Sequence, residues 1–80
     1  MRIYEYHGKS NISGEKIKSA RLKRELTQNQ LVARLEVEGV DITQATLSRI
    51  ESGERFVADF ELALIAKILN VDINELIDLY

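Results

Sequence analysis

The stretch TQNQLVARLEVEGVDITQATLSRIESG, residues 27–53, carries the punctuation that decides the fold. Thr27 is followed three residues later by Gln30. That is the reciprocal capping pattern: a hydroxyl accepts from a first-turn N–H, and an amide reaches back to the cap. It predicts a helix with Leu31, Val32 and Leu35 inward, ending near Val37. Glu38-Gly39-Val40-Asp41-Ile42 reads as a turn in which Gly39 permits positive φ. Thr43 is placed to cap a short helix to Ser52, and Gly53 ends it where a left-handed residue is favoured.

The flanks read the same way. Ser13 is placed to cap a helix to about Glu25, with Ile17, Ala20 and Arg24 at one-face spacing. Phe56 and Val57 lead into a helix over about Asp59 to Leu69, whose stripe is Leu62, Ile65, Ala66 and Leu69. Asp72-Ile73-Asn74-Glu75 resembles another capping box and opens a last helix through Leu79. Arg2-Ile3-Tyr4-Glu5-Tyr6 is a β-prone run ending at Gly8, and a single strand is not stable without a partner. The expected organisation is an N-terminal arm over 1–11 and one domain over 12–80. The expected class is all-α: five short helices joined by short connections.

Composition removes several function classes. Cysteine and proline are absent from the 80 residues, so disulfides and thiolate metal sites are excluded. The longest apolar run, Leu62 to Ala66, is too short to span a membrane. No signal peptide is expected, and a cytoplasmic, nucleoid-associated protein is. His7 is the single histidine and falls in the arm. With no nucleophile–base pair, no metal-spaced ligands and no glycine-rich phosphate loop, the chain is expected to be no enzyme, with no cofactor and no metal.

The formal net charge of −2 argues at face value against nucleic acid, where a basic domain is expected. The charge is unevenly spread, however. Residues 1–55 carry ten basic and eight acidic side chains, residues 56–80 one and five. Lys9, Lys16, Lys18, Arg21, Lys23 and Arg24 stand against Glu15 alone between positions 9 and 24. A basic face and an acidic tail are concealed by the sum.

On the helix opened by Thr43, Leu47 and Ile50 face inward, while Gln44, Ala45, Ser48 and Arg49 fall on the other side. That outer face carries no acid. Its residue types are those that read base edges: glutamine on adenine, arginine on guanine, an alanine methyl against the thymine methyl.

Three motifs occur in order: Arg21-x-x-x-x-Leu26-Thr27-Gln28-x-x-Leu31, Thr46-Leu47-Ser48-Arg49-Ile50-Glu51-Ser52-Gly53, and Leu62-x-x-Ile65-Ala66-x-x-Leu69-x-Val71. Together they resemble the phage repressor and Cro type of helix-turn-helix regulator, the xenobiotic-response-element family, over roughly residues 12–78. The resemblance implies a five-helix, lambda-repressor-like domain whose second and third helices form the DNA-binding pair. It implies a sequence-specific transcriptional regulator of prokaryotic or phage type, a repressor, with the helix at about 43–52 in the major groove. Carried over by position, Gln44, Ala45 and Arg49 are base-reading, flanked by Thr46 and Ser48. Gln28 matches a phosphate-contacting position and Arg21 and Glu51 match a structural ion pair, while Asn29, Lys23, Arg24 and Arg55 are the further expected phosphate contacts. The acidic residues beyond position 55 then lie on helices turned away from DNA.

The sequence departs from the family pattern in three places. The turn is long, Leu47 lying 19 positions after Gln28; Glu25 stands where a glycine is common; and Glu54-Arg55-Phe56 carries one basic residue. Expected partners are double-stranded DNA with a palindromic operator and a second copy, because one small domain covers little DNA. Ile73, Leu76, Ile77, Leu79 and Tyr80 are the candidate dimer contact, and no small-molecule effector is evident. The alternative is a protein-interaction module, such as an antitoxin-like partner, working through the acidic tail and the aromatic arm.

Overall fold

The structure, a computed structural model, describes residues 5–79. Its helices are α1 (Gly14–Lys23), α2 (Gln28–Val37), α3 (Gln44–Glu51), α4 (Asp59–Leu69) and α5 (Ile73–Ile77). The expected contact at Tyr80 and most of the β-prone run, residues 2–4, lie outside the described residues.

Four of the five helices start where a side chain takes orphan N–H groups, the exception being α4 behind Ala58. At α2 the capping box is complete: Gln30 N–H donates to Thr27 Oγ1 at 3.1 Å, and Thr27 N–H donates to Gln30 Oε1 at 2.8 Å. Thr43 caps α3 through Thr46 N–H at 3.1 Å. Asp72 caps α5 through Asn74 N–H at 2.9 Å. The start of α1 differs from expectation, because Ser13 makes no side-chain cap bond. Asn11 Oδ1 instead accepts from Ser13 N–H (3.1 Å) and Gly14 N–H (2.8 Å). Asparagine is among the strongest capping residues, and its longer side chain reaches both donors.

Four helix ends share one geometry. At α1, Glu25 N–H donates to Leu22 O and Leu26 N–H to Arg21 O; at α2, Gly39 N–H donates to Glu36 O and Val40 N–H to Leu35 O. At α3 the pairs are Gly53 to Ile50 and Glu54 to Arg49; at α4, Asn70 to Lys67 and Val71 to Ala66. This is the Schellman pattern, which requires a left-handed residue at its centre. Gly39 and Gly53 supply it, as do Glu25 (φ 57°) and Asn70 (φ 56°). The departure at Glu25 is therefore a glutamate forced into the glycine's conformation. The residue after the left-handed one, Leu26 or Val40, is buried, so three of these turns also carry an apolar residue back to the core, Val71 being half-buried. The last helix stops at Ile77 rather than Leu79, since Asp78 is extended (ψ 127°).

The core is built from Ile17, Leu31, Leu35, Leu47, Ile50, Ile65, Leu69 and Leu76, all but inaccessible to solvent. In it, α3 packs against α1 and α2, α4 against α2, and α5 against α1 and α4. Buried Val40 and half-buried Ile42 tether the long α2–α3 turn to this core, so its extra length leaves α2 and α3 in contact. Lys67 Nζ adds an ion pair at 3.0 Å to Glu38 where α2 ends.

The N-terminal segment forms a tight hairpin turn. Tyr6 and Lys9 exchange backbone hydrogen bonds across His7 (φ 51°) and Gly8 (φ 80°). Two successive positive φ angles are those of a type I′ turn.

Candidate nucleic-acid interface

Helix α3 turns Leu47 and Ile50 into the core and leaves Gln44, Ala45, Ser48 and Arg49 exposed. The split follows from 3.6 residues per turn acting on this order of residues. Thr46 is half-buried, and its hydroxyl accepts from Thr43 Oγ1 at 3.0 Å. Among the described residues, the Arg49 guanidinium has no protein partner. The one carboxylate on α3, Glu51, is taken inside.

Glu51 anchors a chain of four side chains. Arg21 Nε donates to Glu51 Oε2 at 2.7 Å and Arg21 Nη2 to Oε1 at 3.0 Å, a two-point pairing. The remaining Arg21 nitrogen, Nη1, donates to Leu26 O at 2.8 Å. The side chains are only 7% and 3% exposed, which makes this a buried pair whose partners depend on each other. Gln28 Nε2 donates to Glu51 Oε1 at 3.0 Å, and Gln44 Nε2 donates to Gln28 Oε1 at 2.6 Å.

Polarity is fixed at each link. A carboxylate only accepts, so Gln28 must turn its amide nitrogen to Glu51 and its oxygen toward α3. That oxygen also only accepts, so Gln44 must turn its nitrogen to Gln28. Among the described residues, Gln44 is left with one free N–H and its own carbonyl oxygen, side by side on the exposed face.

The other predicted phosphate contacts are dispersed. Asn29 is exposed beside Gln28 in the first turn of α2. Lys23 lies two residues beyond Arg21, about 200° around the helix. With Arg24 it lines a cleft between α1 and the α4–α5 turn, together with Leu69, Val71 and Leu76. Arg55 is committed elsewhere: Nη1 meets Glu61 Oε1 at 3.0 Å, Nη2 meets Oε2 at 3.3 Å, and the guanidinium sits 4.8 Å over the Phe56 ring. Glu61 is buried and also accepts from Ala58 N–H, so this pair closes the start of α4.

Two residues that the sequence did not single out for the site belong beside it. Lys18 is exposed on the edge of α1 that borders α3, four residues after Gly14 and three before Arg21, both of which meet α3. Those spacings were the available signal. Asn11 was the other, an asparagine just ahead of a helical run.

Compared with known families, residues 17–76 match the model described as Helix-turn-helix. The chain belongs to the phage repressor and Cro type of helix-turn-helix proteins. No curated protein and no solved structure gave a match. This helix-turn-helix protein is thus a DNA-binding regulator of transcription of the xenobiotic-response-element type, from a family of double-stranded-DNA binders rather than enzymes. Among the described residues, no helix of this helix-turn-helix protein is long and apolar enough to cross a membrane.

Proposed function

We propose that the protein is a sequence-specific repressor that places α3 in the major groove of a palindromic operator. The supporting observation is the fixed Gln44 amide. An N–H beside a carbonyl oxygen complements N7 and the N6 amine of adenine, so the Glu51–Gln28–Gln44 chain presents an adenine-reading group already oriented. Arg49, exposed and unpaired among the described residues, reads guanine from the same helix, and Ala45, Thr46 and Ser48 complete the face.

Phosphates are met by Gln28, Asn29 and the free first-turn N–H groups of α2, and by Lys18 at the edge of α1. Lys23 and Arg24 in their cleft act through the field of the basic segment, and Arg55 serves the fold. With few cations at the interface, non-specific binding is weak and sequence preference rests on Gln44 and Arg49.

One module covers little DNA, so the working form is a homodimer. Leu76 is buried and closes the core, whereas Ile73, Ile77 and Leu79 are exposed at the end of the chain. A second copy covers them. The regulator works in the cytoplasm, on the nucleoid.

Selection of bound genomic fragments followed by sequencing tests this reading. An inverted repeat with adenine and guanine at fixed spacing in each half is the expected result. Recovery of no common sequence removes the repressor assignment.

A further inference from the structure

The turn after α3 meets Arg49 O and one side of Ile50 O through its own N–H groups, and further acceptor positions at this end remain. They are met by the segment ahead of α1, which lies before residues 17–76 and so before the region that matches the family. Asn11 Nδ2 donates to Ile50 O at 2.9 Å and to Arg55 O at 2.8 Å. Ser10 N–H donates to Gly53 O at 2.8 Å, and Lys9 Nζ reaches Ser52 O at 3.3 Å. Three consecutive residues therefore hold four carbonyls across the last turn of α3 and the loop that follows. The contact is close on both sides. A Cβ on Gly53 would press into the Lys9 side chain, and one on Gly14 would collide with the Ile50 and Glu51 carbonyls.

Asn11 is the centre of this arrangement. Its oxygen caps α1 while its nitrogen holds the end of α3, so all the main hydrogen-bonding capacity of one amide is used to join two helices. The Lys9 ammonium sits at the negative end of the α3 dipole, where a cation is favoured.

We infer that residues 9–11 form a clamp that sets the position of α3 from its C-terminal end, with Asn11 as a positioning residue for base recognition. Gln28 holds α3 at its first residue and Asn11 at its last turn, so the reading face is fixed at both ends. This rests on the DNA-reading assignment of α3. A rigid reading helix discriminates bases because its side chains cannot shift to satisfy a wrong edge. Release of one end lets α3 adjust and lowers discrimination without removing any residue that touches DNA.

Asn11→Asp separates the two halves of the amide. Its carboxylate still caps α1, where the helix dipole favours it, but it turns an oxygen toward the Ile50 and Arg55 carbonyls and opens the clamp. The full-length variant is compared with the wild type on the selected operator, on single-base substitutions of it, and by amide hydrogen exchange. Expected are a ratio of cognate to substituted-site affinity about tenfold lower, an unchanged salt slope, and faster exchange confined to Ser52–Arg55 and the end of α3. Wild-type discrimination in the folded variant overturns the clamp. So does exchange that rises evenly over all helices, which marks a loss of general stability only. Should Asn11→Asp fail to fold, Asn11→Ser keeps a short acceptor for α1, lacks the donor, and is held to the same outcomes. A wild-type chain that selects no sequence refutes the reading of α3 itself, and base positioning with it; local exchange then still reports whether the clamp holds the helix.

Discussion

Gln44 donates its side-chain amide to Gln28 at 2.6 Å, joining the first residue of α3 to the first residue of α2. Gln28 is oriented in turn by Glu51, so a buried ion pair decides which way an exposed glutamine faces. Gln28→Ala is expected to free the Gln44 amide to rotate. Preference at the adenine that Gln44 is proposed to read then falls by about 1–2 kcal/mol, out of the ~1–3 kcal/mol that a bidentate contact supplies, while preference at the base proposed for Arg49 persists. Binding to an operator panel substituted one base at a time measures both. A uniform loss over all positions would show that Gln28 only touches phosphate.

The Arg21–Glu51 pair separates stability from recognition. Removal of one partner strands a buried charge, so Glu51→Ala is expected to lower unfolding free energy by ~3–5 kcal/mol. Arg21→Met combined with Glu51→Leu leaves no charge behind and is expected to be more stable than Glu51→Ala alone. The double variant nevertheless lacks the acceptor that orients Gln28, so it should fold and still bind with poor adenine preference. Urea titration of the single and double variants, with the same operator panel, checks the two halves. A double variant less stable than either single one would contradict this account.

Most of the fold could be read from local punctuation. The Thr27–Gln30 box, the Thr43 cap and the stripe on α4 are interactions within a few residues, and residue type alone announces them. The exposed face of α3 was legible for the same reason, since Leu47 and Ile50 fix the helix's rotation. What stayed hidden joins residues far apart in sequence. Asn11 meets Ile50, 39 positions on, and Gln28 meets Gln44 and Glu51; nearer in the chain but equally decided by packing, Arg55 pairs with Glu61. Asparagine, glutamine and arginine each have several satisfactory partners, and only the packed chain selects among them. Lys23 shows the same limit. Its charge was visible, but the side of α1 that meets α3 depends on Gly14 and Arg21 being buried there.

Glu25 is a local cost built into the fold. It holds φ 57° at the centre of the Schellman turn after α1 and is exposed. A non-glycine residue in this conformation is strained by about 1–2 kcal/mol, partly offset by the extra freedom glycine has in the unfolded chain. Glu25→Gly is thus expected to stabilise the domain by about 0.5–1 kcal/mol, visible as a higher melting temperature. The same turn at α2 already has its glycine, so Gly39→Ala should change stability in the opposite direction. Equal signs for the two substitutions would rule out the conformational explanation.

Gly14 inverts the usual expectation for a helix. Alanine is the better helix former by about 1 kcal/mol, and Gly14 is helical. Its Cα hydrogens, however, lie against the carbonyl oxygens of Ile50 and Glu51, and backbone on both sides leaves no room for a methyl group. Gly14→Ala is expected to push α1 from the end of α3 and to destabilise by ~1–3 kcal/mol net. Chemical denaturation checks the sign, and a stabilised variant would mean that the two helices are not in close contact.

Salt dependence distinguishes the cations of α1. Each phosphate neutralised by direct contact adds about 0.9 to the slope of log K against log salt concentration. Lys18 flanks α3, so Lys18→Ala is expected to lower that slope by ~0.9 on every sequence, with base preference unchanged. Lys23 points into the cleft beside α4 and α5, and Lys23→Ala should change the slope by much less. Arg49→Ala completes the comparison. It should cost ~1–3 kcal/mol on the operator and relax preference at one base pair, with most of that loss absent from non-specific DNA. Titrations of the three variants at several salt concentrations give the slopes directly. A larger slope change for Lys23→Ala than for Lys18→Ala would turn the docked domain over, placing the α4–α5 side of α1 against the DNA backbone.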